Sequence, residues 1–478
     1  MSGARRAGVA LVTAMVAVGS AVGFSGSGGV APRGTADPPP NMIVVVSDDQ
    51  TAESLPHSPP VMPYLQAQLE DPRGGWTSFP NTFATTPLCC PSRAGMLTGR
   101  TAAVTGVLDN GDGARLDDTS TVATWLQDAG YSTALVGKYL NGYPFPERPL
   151  VPPGWDRWVA KTNTSDATVY EGYSLVVDGV PVPIGTGPWT YSTDVLAAEA
   201  ADFIATAPPD RPFFLWFSPP APHQPWQPPE RHAGAFAGLR IEDPPAVGET
   251  DVSDKPKWVR ALAPVDAVRR TAFREDRRRE YETLLGLDDA LRTIDEALDA
   301  RGALQDTVVL FMTDNGYALG EHRWSTKSCP YDACTRTPLF LRIPAMPARV
   351  DERLAANIDV APTLASLAGV QVPEGVEGRS LVPSVSGEGA YPGWRDSIGL
   401  AFLGEDPIVP RWRAVRTSTF LFVEYETGEQ EFYDLAGVFG AADPSQLENR
   451  SGDPALRAEV RRLKELAGAI PWSPQDHP

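Results

Sequence analysis

Residues 42–50 have the sequence MIVVVSDDQ, an unbroken apolar and largely β-branched run that ends in two adjacent carboxylates. Uninterrupted apolar runs of this length are typical of strands that are buried on both faces of a parallel sheet. In open α/β sheets, ligands gather where strands end at their carboxyl edge. We therefore predict a central strand over 42–46 with a polar site directly after it, at Asp48 and Asp49.

Similar apolar runs follow at intervals along the chain and alternate with helical patterns. Strands are predicted at residues 132–136, 212–217 and 307–312. Helices are predicted at residues 122–129, 192–205 and 269–301, with Gly302 ending the last of them. Strands that alternate with helices predict an α/β fold, a doubly wound and mainly parallel sheet. Asp314 and Asn315 follow the strand at 307–312 in the way that Asp48 and Asp49 follow the first.

The pattern changes from about residue 396. Segments 412–417, 419–425 and 430–435 alternate in polarity and predict a small antiparallel sheet, while residues 456–466 predict a closing helix. We therefore divide the mature chain into a catalytic domain at 41–390 and a small C-terminal α+β subdomain at 391–478.

The N-terminus is predicted to be a targeting segment. Arg5 and Arg6 precede an apolar run at 7–22, small residues and three prolines at 38–40. We interpret residues 1–40 as a signal peptide and a Pro/Gly-rich leader; a disordered tail or a membrane anchor is the alternative. No other long apolar stretch exists, which predicts a secreted or extracytoplasmic protein with no stable membrane association.

Charge and cysteine content narrow the class further. The net charge of −19 argues against a nucleic acid partner. Four cysteines are too few for a disulfide scaffold. Cys329 and Cys334 lie on one predicted loop, where a disulfide and two free thiols are both open.

Residues 89–100, CCPSRAGMLTGR, resemble the signature of the type I sulfatases. In that family the first cysteine, here Cys89, is oxidised to the aldehyde formylglycine by a formylglycine-generating enzyme. The resemblance extends over residues 41–472, and the segments GKYLNGY (137–143) and DVSDKP (251–256) are most similar to the N-acetylglucosamine-6-sulfatase branch. It implies an alkaline-phosphatase-like fold. The implied function is an exported sulfatase acting on a sulfated sugar, such as N-acetylglucosamine-6-sulfate, or on an aryl sulfate.

The resemblance also implies a metal site. Asp48, Asp49, Asp314 and Asn315 match the family's ligands, with the modified Cys89 facing the same ion. Carboxylate and amide oxygens suit Ca²⁺, with Mg²⁺ also possible. The cation would act as Lewis acid and template toward the sulfate. Taken alone, Asp and Asn at strand ends are more often turn formers.

A formylglycine hydrate carries two hydroxyls on one carbon. One attacks sulfur and displaces the alcohol; the other then loses its proton, and collapse to the aldehyde releases sulfate. The resemblance implies that Arg93 holds the side chain at position 89 in this reactive form.

Further site residues are implied by their sequence context. Lys138, His223 and Lys327 match sulfate-binding positions of the family, and His223 or Lys327 is the candidate general acid. His322 is predicted to be a substrate-side contact. Leu140 stands where many sulfatases carry a second histidine, which leaves His223 as the clear imidazole of the site.

Other features are interpreted as non-functional. The arginines at 269–279 alternate with acidic residues and predict a solvated helix face. Asn163-Thr164-Ser165 fits a glycosylation acceptor, a pattern of low specificity. The remaining histidines, His57, His232 and His477, are predicted to be surface residues.

Two other functions compete with the sulfatase hypothesis. A hydrolase of phosphate or phosphonate esters would use the same fold and metal site; a Thr or Ser nucleophile or a cluster of histidine ligands would mark it, and the sequence shows no such cluster. A non-catalytic protein that binds sulfated glycans would keep Cys89 as a thiol.

Overall fold

The computed structural model describes residues 39–162, 168–382 and 393–473. The predicted central strand is present as β1 (Asn41–Ser47), and its side chains alternate between two cores. Met42 and Val44 pack on one face, and Ile43 and Val45 on the other. The sheet is therefore covered on both faces, as the unbroken apolar run predicts.

The strands that follow β1 include several that the sequence did not predict. They are β2 (Trp76–Ser78), β3 (Thr82–Phe83), β4 (Ser132–Gly137), β5 (Arg157–Lys161), β6 (Ser174–Val177), β7 (Val180–Pro183), β8 (Phe213–Ser218), β9 (Thr307–Thr313), β10 (Ala318–Leu319), β11 (Ser325–Thr326), β12 (Leu339–Arg342), β13 (Arg349–Val350), β14 (Ala355–Ala356), β15 (Ser397–Phe402), β16 (Trp412–Thr417), β17 (Phe420–Tyr425) and β18 (Gln430–Asp434).

The α-helices confirm each predicted helix to within a few residues. They are α1 (Pro63–Glu70), α2 (Cys89–Thr98), α3 (Ala102–Thr105), α4 (Val122–Asp128), α5 (Ser192–Thr206), α6 (Lys257–Arg260), α7 (Ala267–Arg301), α8 (Asp332–Thr335), α9 (Val360–Leu367) and α10 (Arg457–Gly468). Gly302 ends α7 in the left-handed conformation, with φ +72°.

The main sheet has the strand order β13-β2-β12-β9-β1-β8-β4-β5-β6-β7 within the described residues. From β9 to β5 all neighbours are parallel, whereas β12, β6 and β7 pair antiparallel. This confirms the doubly wound, mainly parallel sheet. The carboxyl ends of β9, β1, β8 and β4 lie at one edge of this sheet, where the polar site was predicted.

Helices cover both faces of the sheet. Apolar residues of α2, α4 and α9 share a core with Met42, and those of α1, α5 and α7 share a core with Ile43. The arrangement is three layers, helix on sheet on helix.

The C-terminal strands β16 to β18 form the predicted antiparallel sheet, and β15, which was not predicted, adds a fourth strand. Phe422 on one face packs against Leu463 of α10. On the other face Trp412 belongs to a core that also contains Trp324 and Tyr331. The small sheet thus packs against the loop that follows β9.

Several predictions concern residues outside the described ranges. These are residues 1–38 of the leader, the acceptor pattern Asn163–Ser165, the boundary between residues 390 and 391, and His477.

Two side-chain predictions have a clear outcome. Cys329 and Cys334 form a disulfide, while Cys89 and Cys90 are free thiols. The prediction of a fully solvated arginine face is wrong for Arg277, which is buried against Glu321 because this turn of α7 faces the protein.

Candidate active site

The first part of the site forms where β1 and β9 end side by side. Ser47 pairs with Thr313, so the two acidic segments that follow, at 48–49 and 314–315, leave the sheet together. Asp49 adopts the left-handed conformation, with φ +65°, and its backbone N–H donates to Oδ1 of Asp314 at 3.0 Å. A strained backbone of this kind is common at functional sites.

Cys89 lies against the same carboxylates. It is the first residue of α2, and its Sγ is 3.6 Å from Oδ1 of Asp48 and 3.6 Å from Oδ1 of Asp49. One ligand atom from each of Asp48, Asp49, Cys89 and Asp314 lies within 4.8 Å of all the others. All four side chains are buried. Residues that are up to 266 positions apart thus meet at one point.

The donor set fits a hard divalent cation. Ca²⁺ binds oxygen ligands at about 2.3–2.6 Å, so ligands on opposite sides of the ion lie roughly 5 Å apart, as in this cluster. Asn315 donates from Nδ2 to Oδ1 of Asp49 at 2.8 Å, whereas its buried Oδ1 accepts no hydrogen bond from the described residues. Turning the amide over exchanges these two atoms and would present Oδ1 to the cluster.

Three cationic or imidazole groups face these acids. Nζ of Lys138 is 2.7 Å from Oδ2 of Asp48, and Nζ of Lys327 is 2.7 Å from both Oδ2 of Asp49 and Sγ of Cys89. His223 places Nε2 3.5 Å from Oδ2 of Asp49. The structure therefore brings the three predicted sulfate-binding residues to one side of the cluster.

The position of Lys138 depends on the glycine before it. Gly137 ends β4 with φ +127°, and a Cβ atom there would lie 2.1 Å from the carbonyl oxygen of Ser218. Only glycine allows this approach, which lets the backbone N–H of Lys138 donate to the same carbonyl at 2.6 Å.

Arg93 lies beneath the cluster and is buried. Its Nε donates to Oδ2 of Asp314 at 2.7 Å, and its Nη1 donates to the carbonyl oxygen of Lys138 at 3.1 Å. The guanidinium of Arg93 thus connects the carboxylate of Asp314, after β9, to the backbone of Lys138, after β4.

The charges in the site balance one another. Burial opposes ionisation of Asp48, yet the charges of Lys138 and Arg93 hold its pKa well below the usual value. Burial would lower the pKa of Lys327, but Asp49 raises it well above normal, so the ammonium stays charged. Burial and Asp49 raise the pKa of the Cys89 thiol, which makes the unmodified side chain a weak nucleophile.

A cavity of about 240 Å³ opens beside the cluster. Its lining residues are Asp48, Asn110, Lys138, Asn141, Lys161, Thr162, Val169, Pro220, His223, Gln224 and Lys327. Lys161 was not predicted from the sequence, where a single lysine after a short apolar run resembles a surface charge.

His322 is held by protein groups. Its Nδ1 lies 2.9 Å from Oε2 of Glu249, and its ring contacts that of Tyr331, with centroids 3.9 Å apart and planes tilted by 31°. It does not line the cavity beside Lys138. A substrate contact by His322 remains a prediction. Position 140, where many sulfatases carry a second histidine, is a leucine, and its side chain is buried in the apolar core.

Residues 40–370 match the Sulfatase family model. The chain belongs to this family. Residues 320–469 also match the model for the C-terminal part of N-sulphoglucosamine sulphohydrolase, which covers the small antiparallel sheet. As a member of the family, the protein is a sulfuric ester hydrolase.

Individual relatives have low sequence identity to this chain, but the alignments cover most of it. An N-acetylglucosamine-6-O-sulfatase of Bacteroides thetaiotaomicron is 26% identical over 499 residues, covering 89% of this chain and 85% of the relative. An extracellular sulfatase SULF-1 homolog of Drosophila melanogaster is 29% identical over 72% of this chain, and this chain spans only 31% of its length.

A solved structure supports the fold assignment. The structure of BT4656 in complex with its substrate D-glucosamine-2-N,6-O-disulfate superimposes with a TM-score of 0.77 at 24% identity, over 90% of this chain and 97% of that one.

Among the described residues, no helix has both the length and the apolar content that a membrane span requires.

Proposed function

We propose that this protein is an exported sulfatase that hydrolyses the sulfate ester of a sugar such as N-acetylglucosamine-6-sulfate. The hydrolysis would use a formylglycine hydrate made from Cys89 and a divalent cation, Ca²⁺ or alternatively Mg²⁺. The observation that carries the proposal is the meeting of Cys89 with Asp48, Asp49 and Asp314 inside one 4.8 Å cluster.

Each side chain has a defined role in this proposal. The matured residue 89 would supply the attacking hydroxyl. Asp48, Asp49, Asp314 and Asn315 would hold the cation, whose positive charge would polarise the sulfate. Lys138 and Lys327 would neutralise sulfate oxygens at the mouth of the cavity. Their contacts with Asp48 and Asp49 hold both ammonium groups in place.

The departing alcohol needs a proton, which a side chain of the cavity would donate. His223 or Lys327 would protonate the departing alcohol oxygen, since both line the cavity. Arg93 acts as a positioning residue, because it touches Asp314 and the backbone of Lys138 rather than the cavity. Nδ1 of His223 lies 2.5 Å from the carbonyl oxygen of Gln224, which can only accept, so Nδ1 carries a proton and His223 would act as an acid from Nε2 in its imidazolium form.

The substrate class is supported by the relatives. The Bacteroides relative is named for N-acetylglucosamine-6-O-sulfate, and it aligns with most of this chain. The export part is supported by the charged and apolar pattern at residues 1–40 and by the extracellular assignment in the name of the fly relative. Maturation requires a formylglycine-generating enzyme as a transient partner.

The test pairs two adjacent cysteines. The full chain is expressed with a formylglycine-generating enzyme, and the peptide that contains residues 89 and 90 is weighed by mass spectrometry. We expect the conversion of one CH₂SH group to CHO, located at Cys89. Cys89→Ala should abolish hydrolysis of N-acetylglucosamine-6-sulfate, whereas Cys90→Ala, at the neighbouring buried thiol, should leave the rate nearly unchanged.

A comparison of several substrates distinguishes the proposed function from its competitors. Aryl sulfate, phosphate ester and phosphonate ester are assayed beside the sugar sulfate. Faster turnover of a phosphorus ester would contradict the proposal, and binding of sulfated glycan without turnover, with Cys89 unmodified, would favour the non-catalytic function.

A further inference from the structure

A lysine that has no ion-pair partner among the described residues lines the active-site cavity. Lys161 is the last residue of β5 and is only 6% exposed. Its contact is with the ring of Tyr173, whose centroid lies 5.4 Å from Nζ. Within the part of the chain that the structure describes, no carboxylate forms an ion pair with it. Lysine is almost never buried to this degree without a partner.

The sheet register explains how Lys161 comes to the site. In the parallel pair β4 and β5, Gly137 lies beside Ala160, so the next residues, Lys138 and Lys161, are neighbours at the edge of the sheet where β4 ends. Lys138 is paired with Asp48, and Lys327 with Asp49. Asp48, which lines the cavity, and Asp49 are thus already engaged, and Lys161 lies on the strand next to the one that ends before Lys138.

This arrangement is costly unless an anion completes it. A buried, unpaired ammonium group loses several kcal/mol of hydration free energy. Burial, and then the charge of Lys138, lower the pKa of Lys161 to about 8. An anionic group beside Nζ would reverse both effects. The charge of Asp48 offsets these effects only in part, and no described residue forms an ion pair with Nζ, so an anionic group of the ligand would complete the arrangement.

We propose that Lys161 binds a second anionic group of the substrate, a sulfate or a carboxylate carried by the same sugar or by its neighbour. This inference rests on the proposed function, since it takes Lys138 and Lys327 to hold the sulfate that is cleaved. Lys161 is then a specificity-determining residue that favours sugars with two negative charges over sugars with one.

Binding is measured by calorimetry in the full chain carrying Cys89→Ala, so that no ligand is consumed. Three probes are compared: glucosamine 6-sulfate, glucosamine 2-N,6-O-disulfate, and 6-sulfated N-acetylglucosamine linked to glucuronic acid. We expect Lys161→Met to weaken binding of at least one doubly charged probe roughly 10- to 100-fold, the range for a charged hydrogen bond. Binding of the monosulfated probe should change less than about threefold.

Matched variants exclude a general effect. Lys161→Arg keeps the charge and should retain most of the preference, and Lys161→Gln is a second neutral variant should the methionine fail to fold. Lys257→Met makes the same change at an exposed lysine of α6 and should have no effect. The doubly charged probe that loses affinity tells whether the second group is a sulfate or a carboxylate.

Equal loss for all three probes, or no loss for any, would overturn the inference and leave Lys161 as a partner of Tyr173 only. Hydrolysis by the matured wild-type protein is measured in parallel. Lys161-dependent binding without any hydrolysis would remove the proposed function and keep this inference, so the two failures are distinguishable.

Discussion

The buried amide oxygen of Asn315 is the atom that most directly indicates the proposed metal site. It accepts no hydrogen bond from the described residues, although an unsatisfied buried acceptor is unfavourable by about 1–3 kcal/mol. A bound cation would satisfy it. The role of metal ligand that we propose for Asn315 would thus give this oxygen a partner that the described protein atoms do not provide.

Asn315→Ala is expected to weaken Ca²⁺ binding at least about tenfold, because one of the oxygen ligands is lost while the three carboxylates remain. Affinity is measured by competition with a chelator, using Asn81→Ala as the control. Asn81 hydrogen-bonds Glu352, outside the cluster. Unchanged affinity in Asn315→Ala would remove this residue from the ligand set.

At this scale the sequence predicted the acids of the site and the bases Lys138, His223 and Lys327, but it missed Lys161. Asp48, Asp49, Asp314 and Asn315 each follow an apolar strand, and parallel strands end at one edge, so their meeting could be foreseen. Lys161 could not be foreseen, because only the register of β4 and β5 brings it beside Lys138.

Helix α7 forms a buried ion pair with Glu321, in the segment between β10 and β11. Arg277 donates from Nη2 to Oε1 of Glu321 at 3.0 Å, and both side chains are almost fully buried. Arg277→Ala leaves the charge of Glu321 unpaired and should lower the free energy of unfolding by about 3–5 kcal/mol.

The control for this prediction lies in the same arginine run. Arg279→Ala, at an exposed position, should change the free energy of unfolding by less than about 0.5 kcal/mol. Both are measured by urea denaturation. Equal effects of the two substitutions would mean that the buried pair contributes nothing particular to α7.

Asp288 of α7 accepts hydrogen bonds from the backbone N–H groups of Tyr64 and Leu65, in the first turn of α1, at 2.7 and 2.8 Å. Burial outweighs these donors and raises the pKa of Asp288 from 3.8 to about 6. The unfolded chain therefore releases this proton first as pH rises. The contribution of Asp288 to stability is complete below about pH 4 and is lost as pH rises toward 6.

Asp288→Asn removes this titration. We expect the free energy of unfolding of the wild type, relative to that of Asp288→Asn, to fall between about pH 4 and pH 6 by up to about 1.4 kcal/mol per pH unit. Urea denaturation of both proteins across this range measures it. A difference that is constant or rises with pH would contradict the raised pKa.

Sequence patterns missed most of the short strands and also β15, which has six residues. β12 has four residues directly after Pro338, and β7 (VPVP) contains two prolines at the sheet edge. Neither gives a periodic signal long enough to predict a strand. Long β-branched runs such as β9 were predicted because burial on both faces demands them.

In the whole molecule, the C-terminal sheet supports the loop that carries Lys327. Trp412 donates from Nε1 to the carbonyl oxygen of Ser328 at 2.8 Å, and Trp324 donates to that of Lys327 at 2.8 Å. Tyr331 donates to Glu431 of β18 at 3.0 Å. The small sheet is thus part of the active-site scaffold. Sequence patterns revealed three of its four strands but not this contact, which is formed between distant segments.

Trp412→Phe removes the hydrogen bond to Ser328 while keeping most of the apolar surface. We expect kcat/KM for the sugar sulfate to fall roughly tenfold, because small displacements of a positioned group are costly in catalysis. Trp472→Phe is the control, since Trp472 packs against Arg413 instead. An unchanged kcat/KM in a folded Trp412→Phe protein would show that the sheet does not position Lys327.

The central claim is that a modified residue 89 and a cation held by Asp48, Asp49, Asp314 and Asn315 form one site. A crystal structure of the chain matured with a formylglycine-generating enzyme and grown with Ca²⁺ tests it most directly. We predict a single ion with these four residues at about 2.3–2.6 Å and an oxygen, not sulfur, on the side chain of residue 89 beside it. An intact Cys89 thiol in that crystal, or a calcium ion bound away from these residues, would contradict the account.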